Sequence, residues 1–312
     1  MKKLFAVLIA TLLLVAGCAP AFSLEAPGNV EETSVSEKKP EEITVGLSLS
    51  TLSNPFFVSL EEGVTKLADE NGTKVVTVDA QDDSAKQSND INDLIQQNVD
   101  VLLINPVDSA AISPAVEAAN SANIPVILVD RTSDSGEVVT LVASDNVAGG
   151  EMAAQYIVDT VGEGATTIQL EGVPGASATN ERGQGFMNVA EKSLNVVDSQ
   201  TANFDRAEGL TVMENMLQGN ADIKAVFAQN DEMGLGAIEA IKGAGLEDQI
   251  TVVSFDGTEG GLKAIEDGSL AATVAQQPDE MGRLALQAAY DYFAGEDIPE
   301  KIDSPLELVT KE

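Results

Sequence analysis

Two polar and two aromatic side chains stand close together after an apolar run at residues 43–49. Ser50 and Asn54 follow that run, and Phe56 and Phe57 come directly after them. A sugar hydroxyl both donates and accepts hydrogen bonds, whereas the C–H faces of the ring stack on aromatic planes. The stretch therefore predicts a sugar-recognition surface, although packing of the two phenylalanines in a core is an equally consistent interpretation.

The same arrangement recurs where later apolar runs end. Asparagine and glutamine side chains offer both donors and acceptors, whereas aspartate only accepts and arginine only donates. Parallel strands end at one edge of a sheet, and ligands bind in the crevice outside that edge. The polar residues expected at this edge, which together predict a site for a neutral polyol, are Asn105, Asp130, Arg131, Asn230, Asp231, Asp256 and Gln276.

The elements that must position these residues alternate along the chain. Short runs rich in Val, Ile and Leu alternate with longer amphipathic stretches, which is typical of βα units and a parallel sheet. Asn54-Pro55 predicts the start of a helix that ends at Asn71-Gly72, and Ser113-Pro114 lies near the start of another. A third helix runs from about Glu232 and ends at Lys242-Gly243-Ala244-Gly245. Candidate strands are 43–49, 74–79, 100–104, 125–129, 138–143, 166–171, 195–199, 223–228, 250–255 and 270–275.

The N-terminal segment has the features of a bacterial lipoprotein signal. Two lysines precede an apolar run at 4–15, which is too short to span a bilayer, and small residues lead to Cys18, the only cysteine. We expect residues 1–17 to be a signal peptide and Cys18 to be lipidated. Residues 18–41 are rich in Pro, Glu, Ser and Lys and predict a flexible tether. The domain would then lie at the outer face of the cytoplasmic membrane or in the periplasm.

Size and charge restrict the domain organisation and the partners. About 270 residues follow the tether, more than one core usually accommodates, so we expect two α/β lobes. The net charge of −34, from 51 acidic and 17 basic residues, opposes binding to nucleic acid or to anionic lipid head groups. A well-solvated surface explains the acidity, and adaptation to salt or docking to a basic partner are alternatives.

Catalysis is not expected from the residue types present. The chain has no histidine, no paired cysteines and no Walker-type phosphate loop, so we expect no metal site and no cofactor. Asp130 and Asp256 could form the carboxylate pair of a glycosidase. However, Arg131 and Arg182 are expected to lower the pKa values of those carboxyl groups, which hinders a general acid. A binding function is therefore favoured over an enzyme.

A series of short motifs resembles, in residues and in order, bacterial ribose-binding proteins of the pentose and hexose branch of the periplasmic binding protein superfamily. The resemblance runs from about residue 43 to the C-terminus, and Asn180 departs from a basic residue in the family. The motifs are Ser50–Phe57, Leu103–Pro106, Asp130-Arg131, Ala143–Asn146, Glu181–Gly183, Asn203–Arg206, Ala228–Met233, Phe255–Thr258 and Ala275–Asp279.

The resemblance implies a role for each site residue. Phe56, Phe57 and Phe204 would enclose a pyranose ring, with Ser50 and Asn105 at the margin. The residues that would hydrogen-bond the hydroxyls and the ring oxygen are Asn54, Asp130, Arg131, Arg182, Asn230, Asp256 and Gln276. D-ribose is the implied ligand.

The resemblance also implies two Rossmann-like lobes with parallel sheets flanked by helices, joined by a three-segment hinge. The crossings would lie near Ser144-Asp145, Gln276-Gln277 and Ser304-Pro305. The first lobe would comprise 42–144 and 277–304, and the second 145–276 and 305–312. Lobe closure on the sugar would be recognised by the permease of an ABC importer, with a chemoreceptor as a further partner of a monomeric protein.

Two alternatives concern the kind of protein and the kind of sugar. A sugar-responsive transcription regulator shares this fold but needs an N-terminal helix-turn-helix, where this chain carries an export signal. The second alternative keeps the binding function and changes the ligand to allose, xylose, galactose or a furanose signal molecule. Only this second alternative competes seriously with D-ribose.

Overall fold

The computed structural model describes residues 37–220 and 222–311. The signal peptide, Cys18 and most of the expected tether lie outside these residues. The strands are β1 Thr44–Leu49, β2 Lys74–Asp79, β3 Val101–Ile104, β4 Val126–Val129, β5 Thr140–Ser144, β6 Thr166–Glu171, β7 Asn195–Thr201, β8 Ala225–Ala228, β9 Thr251–Asp256, β10 Ala272–Ala275, β11 Lys301–Ser304 and β12 Glu307–Thr310. The helices are α1 Pro55–Asn71, α2 Ser84–Gln96, α3 Ser113–Ser121, α4 Asn146–Val161, α5 Ser177–Ser193, α6 Arg206–Gly219, α7 Asp231–Gly243, α8 Glu259–Asp267 and α9 Pro278–Phe293.

The strands form two six-stranded sheets with the same order. The first sheet runs β2-β1-β3-β4-β5-β11 and is parallel throughout. The second runs β7-β6-β8-β9-β10-β12 and is parallel except for β12, which pairs antiparallel with β10. The prediction of two α/β lobes with parallel sheets flanked by helices is confirmed. We call the lobe built on the first sheet the first lobe and the other the second lobe.

The chain passes between the sheets three times. It leaves the first sheet after β5, returns after β10 to place α9 against α1, and crosses again between β11 and β12. The sequence did not predict β11 and β12. Each has only four residues, of which Lys301, Asp303 and Glu307 are charged and exposed, so neither shows the apolar run of a buried strand.

Helix boundaries follow the signals in the sequence. The Asn54 side chain accepts a hydrogen bond from the Phe56 amide and caps α1, and Pro55 occupies the first turn, where its missing N–H costs nothing. Gly72 ends the helix at φ 72°, a left-handed conformation that glycine adopts without a Cβ clash. Because α1 begins shortly after β1 ends at Leu49, its N-terminus and its phenylalanines lie near the carboxyl end of β1.

Each sheet is covered on both faces, which explains the continuous apolar runs of its inner strands. In the first lobe, Leu47 and Leu103 pack with α1 and α9, whereas Leu102 and Ile104 pack with α2 and α3 on the other face. The second lobe has two equivalent apolar clusters. Among the described helices, none is both long and apolar enough to cross a membrane.

Candidate functional site

A small cavity lies between the lobes, at the carboxyl ends of both sheets. Its volume is about 10 Å³, which is room for about one water molecule. The lobes meet beside it, where the Thr132 amide donates to the Ser177 hydroxyl at 2.9 Å and the Ser109 amide donates to the Gly175 carbonyl at 3.0 Å. The residues that line the cavity are Asn54, Phe56, Phe57, Asp130, Arg131, Ala178, Arg182, Phe204, Asn230 and Asp256.

Most of this lining was named from the sequence, but Ala178 was not. A methyl side chain carries no chemical signal, so only the fold could place it there. Three residues named from the sequence, Ser50, Asn105 and Gln276, are buried behind the lining instead of within it. Asp231, also expected at this edge, accepts hydrogen bonds from Ser254, Thr258 and Thr273 and ties β9 and β10 to α7.

The first lobe presents Asp130 at the end of β4. Its φ of 65° turns the chain sharply, and its amide donates to the Val142 carbonyl. Carboxylate Oδ2 accepts from Asn105 Nδ2 at 3.4 Å and lies 3.5 Å from Arg131 Nε. Oδ1 is buried and has no hydrogen-bond partner in the described part of the protein. Asp130 therefore presents an unused acceptor beside the cavity.

Arg131 reaches across the cavity from the first lobe. Its Nη1 donates to the Pro106 carbonyl at 2.9 Å, and its guanidinium carbon lies 5.2 Å from the Phe57 ring centre and 5.5 Å from that of Phe204. Nε has no hydrogen-bond partner within residues 37–220 and 222–311. Arg131 thus retains an unused donor and contacts an aromatic ring of the opposite lobe.

Asn105 supports Asp130 from behind. Its side chain accepts from the Ser50 amide and donates to the Val129 carbonyl, while Gln87 donates to its backbone carbonyl. These hydrogen bonds fix the carboxyl ends of β1, β3 and β4 relative to one another. Ser50 and Asn105 therefore act on the cavity through their neighbours.

The second lobe holds Arg182 with a fuller set of acceptors. Nε donates to Asn146 Oδ1 at 2.9 Å, and Nη1 donates to the Gln229 carbonyl at 2.7 Å and to Asp256 Oδ1 at 3.3 Å. The guanidinium stacks on the Phe255 ring, 3.8 Å from its centre. The supporting roles of Asn146, Gln229 and Phe255 were not predicted, although Gln229 and Phe255 each adjoin a predicted site residue and Asn146 ends one of the motifs that carry the resemblance.

Asp256 ends β9 with φ 115°, an unusual backbone angle for a residue with a side chain. Gln276 Nε2 donates to its Oδ1 at 2.9 Å, so Gln276 lies against the carboxylate. Burial raises the pKa of Asp256 to about 8, even though Arg182 opposes the shift. Burial also raises the pKa of Asp130, against Arg131 and Arg182. The arginines do lower these pKa values, as expected, but desolvation outweighs them, so the net shift of both carboxyl groups is upward.

The two asparagines of the lining are also helix caps. Asn54 caps α1, and Asn230 accepts from the Met233 amide at 2.9 Å to cap α7. Asn230 Nδ2 donates to the Phe204 carbonyl at 3.1 Å and so ties the Phe204 loop to the N-terminus of α7. Both side chains are oriented before any ligand arrives. No cluster of three or more His, Cys, Asp or Glu side chains suited to a metal ion occurs in the described residues.

Comparison with known proteins identifies the class. Residues 45–297 match the model of the periplasmic binding protein domain, and the chain belongs to this family. The ribose import binding protein RbsB of Bacillus subtilis is 54% identical over 312 residues, covering 100% of both chains. RbsB of Escherichia coli is 50% identical over 270 residues, covering 86% of this chain and 91% of its own.

Solved structures share the fold. An ABC transporter solute binding protein from Mycobacterium smegmatis with bound glycerol has a TM-score of 0.82 at 36% identity, covering 86% of this chain and 94% of its own. The binding protein of the arabinose ABC transporter from Shewanella sp. ANA-3, bound to L-arabinofuranose, has a TM-score of 0.82 at 34% identity. The match covers 86% of this chain and 92% of the Shewanella chain. The family and its relatives are substrate-binding proteins, so the prediction of a binding protein instead of an enzyme is confirmed.

Proposed function

We propose that this protein binds D-ribose between its lobes and delivers it to the permease of an ABC importer. The observation that carries the proposal is the chemistry of the cavity lining. Two carboxylates, two guanidiniums, two amides and three phenylalanine rings face one small space between two lobes. Identity of 54% over the full length to a protein named for ribose import supports the choice of sugar.

Each kind of side chain in the lining makes a different contact with the sugar. Asp130 and Asp256 accept hydrogen bonds from sugar hydroxyls, Arg131 and Arg182 donate to hydroxyl or ring oxygens, and the phenylalanines cover the C–H faces of the ring. Asn54 and Asn230 add amide groups beside the same space. Ser50, Asn105 and Gln276 hold the strand ends and Asp256 in place, so their contribution to affinity is indirect.

Lobe movement is part of the proposal because a sugar is larger than the single water that the cavity admits. The lobes or their side chains must move apart to admit ribose, and contacts from both lobes then favour closure around it. We place the first lobe at 42–144 and 277–304 and the second at 145–276 and 305–312. The three passages of the chain between the sheets support these boundaries.

The cellular setting follows from the sequence. We propose that residues 1–17 are a signal peptide and that a lipid on Cys18 anchors the protein outside the cytoplasmic membrane. In this setting the permease recognises the closed, sugar-loaded form of a monomer, and a chemoreceptor is a second candidate partner.

A different monosaccharide is the alternative ligand. An ABC transporter solute binding protein from Actinobacillus succinogenes with bound D-allose has a TM-score of 0.81, at 28% identity and covering 86% of this chain. The same fold thus accommodates other sugars. A changed ligand would leave the importer function intact.

The test is calorimetric titration of the domain from residue 41 onward, freed of bound sugar by unfolding and refolding. D-ribose, D-allose, D-xylose, D-galactose and D-glucose would be compared at one pH. We expect one-to-one binding of ribose, with each mismatched hydroxyl costing roughly tenfold or more in affinity, because it leaves a buried partner unpaired. Preference for another sugar would identify that sugar as the ligand in place of ribose. Binding of none of the five sugars would overturn the proposal.

A further inference from the structure

We propose that Asn146 and Glu181, outside the cavity lining, are positioning residues that set the orientation of the Arg182 guanidinium for the sugar. This inference rests on the proposed function, since its readout is ribose affinity. Neither residue lines the cavity between the lobes. Both act on it through Arg182.

The three side chains form a continuous series of hydrogen bonds. Asn146 Nδ2 donates to Glu181 Oε2 at 3.0 Å, and Asn146 Oδ1 accepts from Arg182 Nε at 2.9 Å. Asn146 is the first residue of α4, and Asp145 caps that helix, so its backbone is fixed. Asn146 and Arg182 are 1% and 3% exposed. A buried series of this kind holds its members in one geometry.

The chemistry of the neighbours allows only one orientation of the Asn146 amide. An arginine N–H can only donate, and an ionised carboxylate can only accept. The amide oxygen must therefore face Arg182 and the amide nitrogen must face Glu181. If Glu181 lost its acceptor, the amide nitrogen would be left unpaired, and Arg182 alone would hold the orientation of the amide oxygen.

The hydrogen bond at Arg182 Nε matters because it holds the guanidinium at a second point besides Nη1. Nη1 is occupied by the Gln229 carbonyl and the Asp256 carboxylate. Fixing Nε as well determines the plane of the guanidinium, and this plane sets where Nη2 points relative to the cavity. Precise placement of a donor strengthens binding by reducing the freedom lost when the sugar is held.

Glu181 lies where substitution is sterically tolerated. It lines a second cavity of about 380 Å³ on the hinge side, together with Asp130, Asp145 and Lys301. Burial raises the pKa of Glu181 and Asp130 adds to the shift, whereas the hydrogen bond from Asn146 and the charges of Lys301 and Arg182 oppose it. A side chain of similar length at this position borders open space, so the substitution need not disturb the core.

The same helix pair provides a matched control. Asn188 on α5 donates to Glu151 on α4 at 2.8 Å, but this pair is exposed and touches neither arginine. It resembles the Asn146–Glu181 pair in chemistry and in the helices it joins. A general effect of losing one α4–α5 hydrogen bond would appear at both positions.

The experiment measures ribose dissociation constants by calorimetry and melting temperatures for Glu181→Met, Glu181→Gln, Asn146→Ala and Glu151→Met. We expect about tenfold weaker binding for Glu181→Met and about tenfold to a hundredfold for Asn146→Ala, which leaves a buried charged donor unpaired. Glu181→Gln restores a neutral acceptor and should lose only about threefold. Glu151→Met should bind as the wild type does.

A double-substitution cycle separates positioning from simple destabilisation. In the Asn146→Ala background, Glu181→Met should change affinity less than about twofold, because its effect passes through Asn146. Wild-type affinity in Glu181→Met would overturn the inference and leave the proposed function standing, as would equal losses in Glu151→Met. Failure of the wild type itself to bind ribose would overturn both.

Discussion

The two walls of the cavity carry the same chemistry but hold it differently. In the first lobe, Asp130 and Arg131 are adjacent in sequence, and a single backbone carbonyl fixes the guanidinium. In the second lobe, Arg182 and Asp256 are 74 residues apart, and side chains and backbone of several elements hold the guanidinium. The second wall is therefore organised in advance, whereas the first has unused hydrogen-bonding groups that a ligand can satisfy.

The difference suggests that the two walls contribute to ribose binding in different ways. In the proposed function, the second wall would provide a rigid surface that orients the sugar. The first wall carries Asp130 Oδ1 and Arg131 Nε, both buried and without a hydrogen-bond partner in the described chain, so closing it over a sugar would relieve the cost of burying them. Ribose binding would thus favour the closed arrangement mainly through the first wall.

The largest effect is expected from removing a charged group from either wall. Asp130→Ala or Arg182→Ala should abolish measurable ribose binding, because breaking a buried charge pair costs about 3–5 kcal/mol. Calorimetry checks the prediction, with circular dichroism to verify folding. Arg283→Ala removes an exposed arginine paired with Glu280 and is the control. Micromolar or tighter binding by either folded cavity variant would defeat the assignment.

Exchanging each arginine for lysine distinguishes the walls. Lysine keeps the charge but cannot reproduce several directed N–H donors. Arg182→Lys gives up bonds to three acceptors and Arg131→Lys only one, so we expect affinity to fall roughly tenfold further in Arg182→Lys. Titration of both variants with ribose measures this. Equal losses, or a larger loss in Arg131→Lys, would remove the contrast between the walls.

Binding should release protons. The pKa of Asp256, raised to about 8 in the ligand-free protein, should fall when sugar hydroxyls donate to the carboxylate, and Asp130 should change in the same direction. Affinity should therefore rise with pH up to about 8. Calorimetry at pH 7 in buffers of different ionisation enthalpy counts the protons, and Asp256→Asn should reduce the number. Proton uptake would contradict the predicted direction.

The same raised pKa has an opposite effect on stability. Between the unfolded pKa of 3.8 and the folded pKa of about 8, the folded ligand-free protein binds more protons at Asp256 than the unfolded chain, so the contribution of this group to stability is lost progressively as pH rises to about 8. Asp256→Asn should therefore flatten this part of the dependence of melting temperature on pH. An unchanged profile would argue against burial as the cause.

The smallest effect concerns the aromatic contacts that join the walls. Phe204→Leu should weaken ribose binding by about 0.5–1.5 kcal/mol, or roughly threefold to tenfold, since aliphatic packing remains. Phe204→Tyr keeps the ring face and serves as the comparison. Because Phe204 lies near both Arg131 and Arg182, a larger loss would show that stacking, rather than the polar groups, carries recognition.

The sequence predicts the parts of this site that carry chemical signals. Asp130 and Asp256 follow apolar runs, and the parallel fold brings strand ends together, so their placement beside one crevice could be anticipated. The supporting contacts of Asn146 and Gln229 depend on the packing of α5 against α4 and β8, which periodicity does not determine. The short polar strand β11 also depends on its partner, β5, for its conformation.

Two opposite effects on the carboxyl pKa values, burial and the neighbouring arginines, explain why the net shift is upward instead of downward. Arg182 lies 3.3 Å from Asp256 and favours its charged form, as adjacency of charges suggested. Sequence patterns show which charges are neighbours but not how completely they are removed from water. Asp256 is only 4% exposed, and this burial decides the direction.

A crystal structure of the refolded protein with D-ribose tests the central claim most directly. We expect one pyranose between the three phenylalanine rings, with Asp130 and Arg131 of the first wall and Arg182 and Asp256 of the second all within hydrogen-bond distance of it. The cavity should be larger than the present 10 Å³, with the Arg182 contacts to Asn146 and Gln229 retained. Ribose bound to one wall alone, or outside the cavity, would contradict the account.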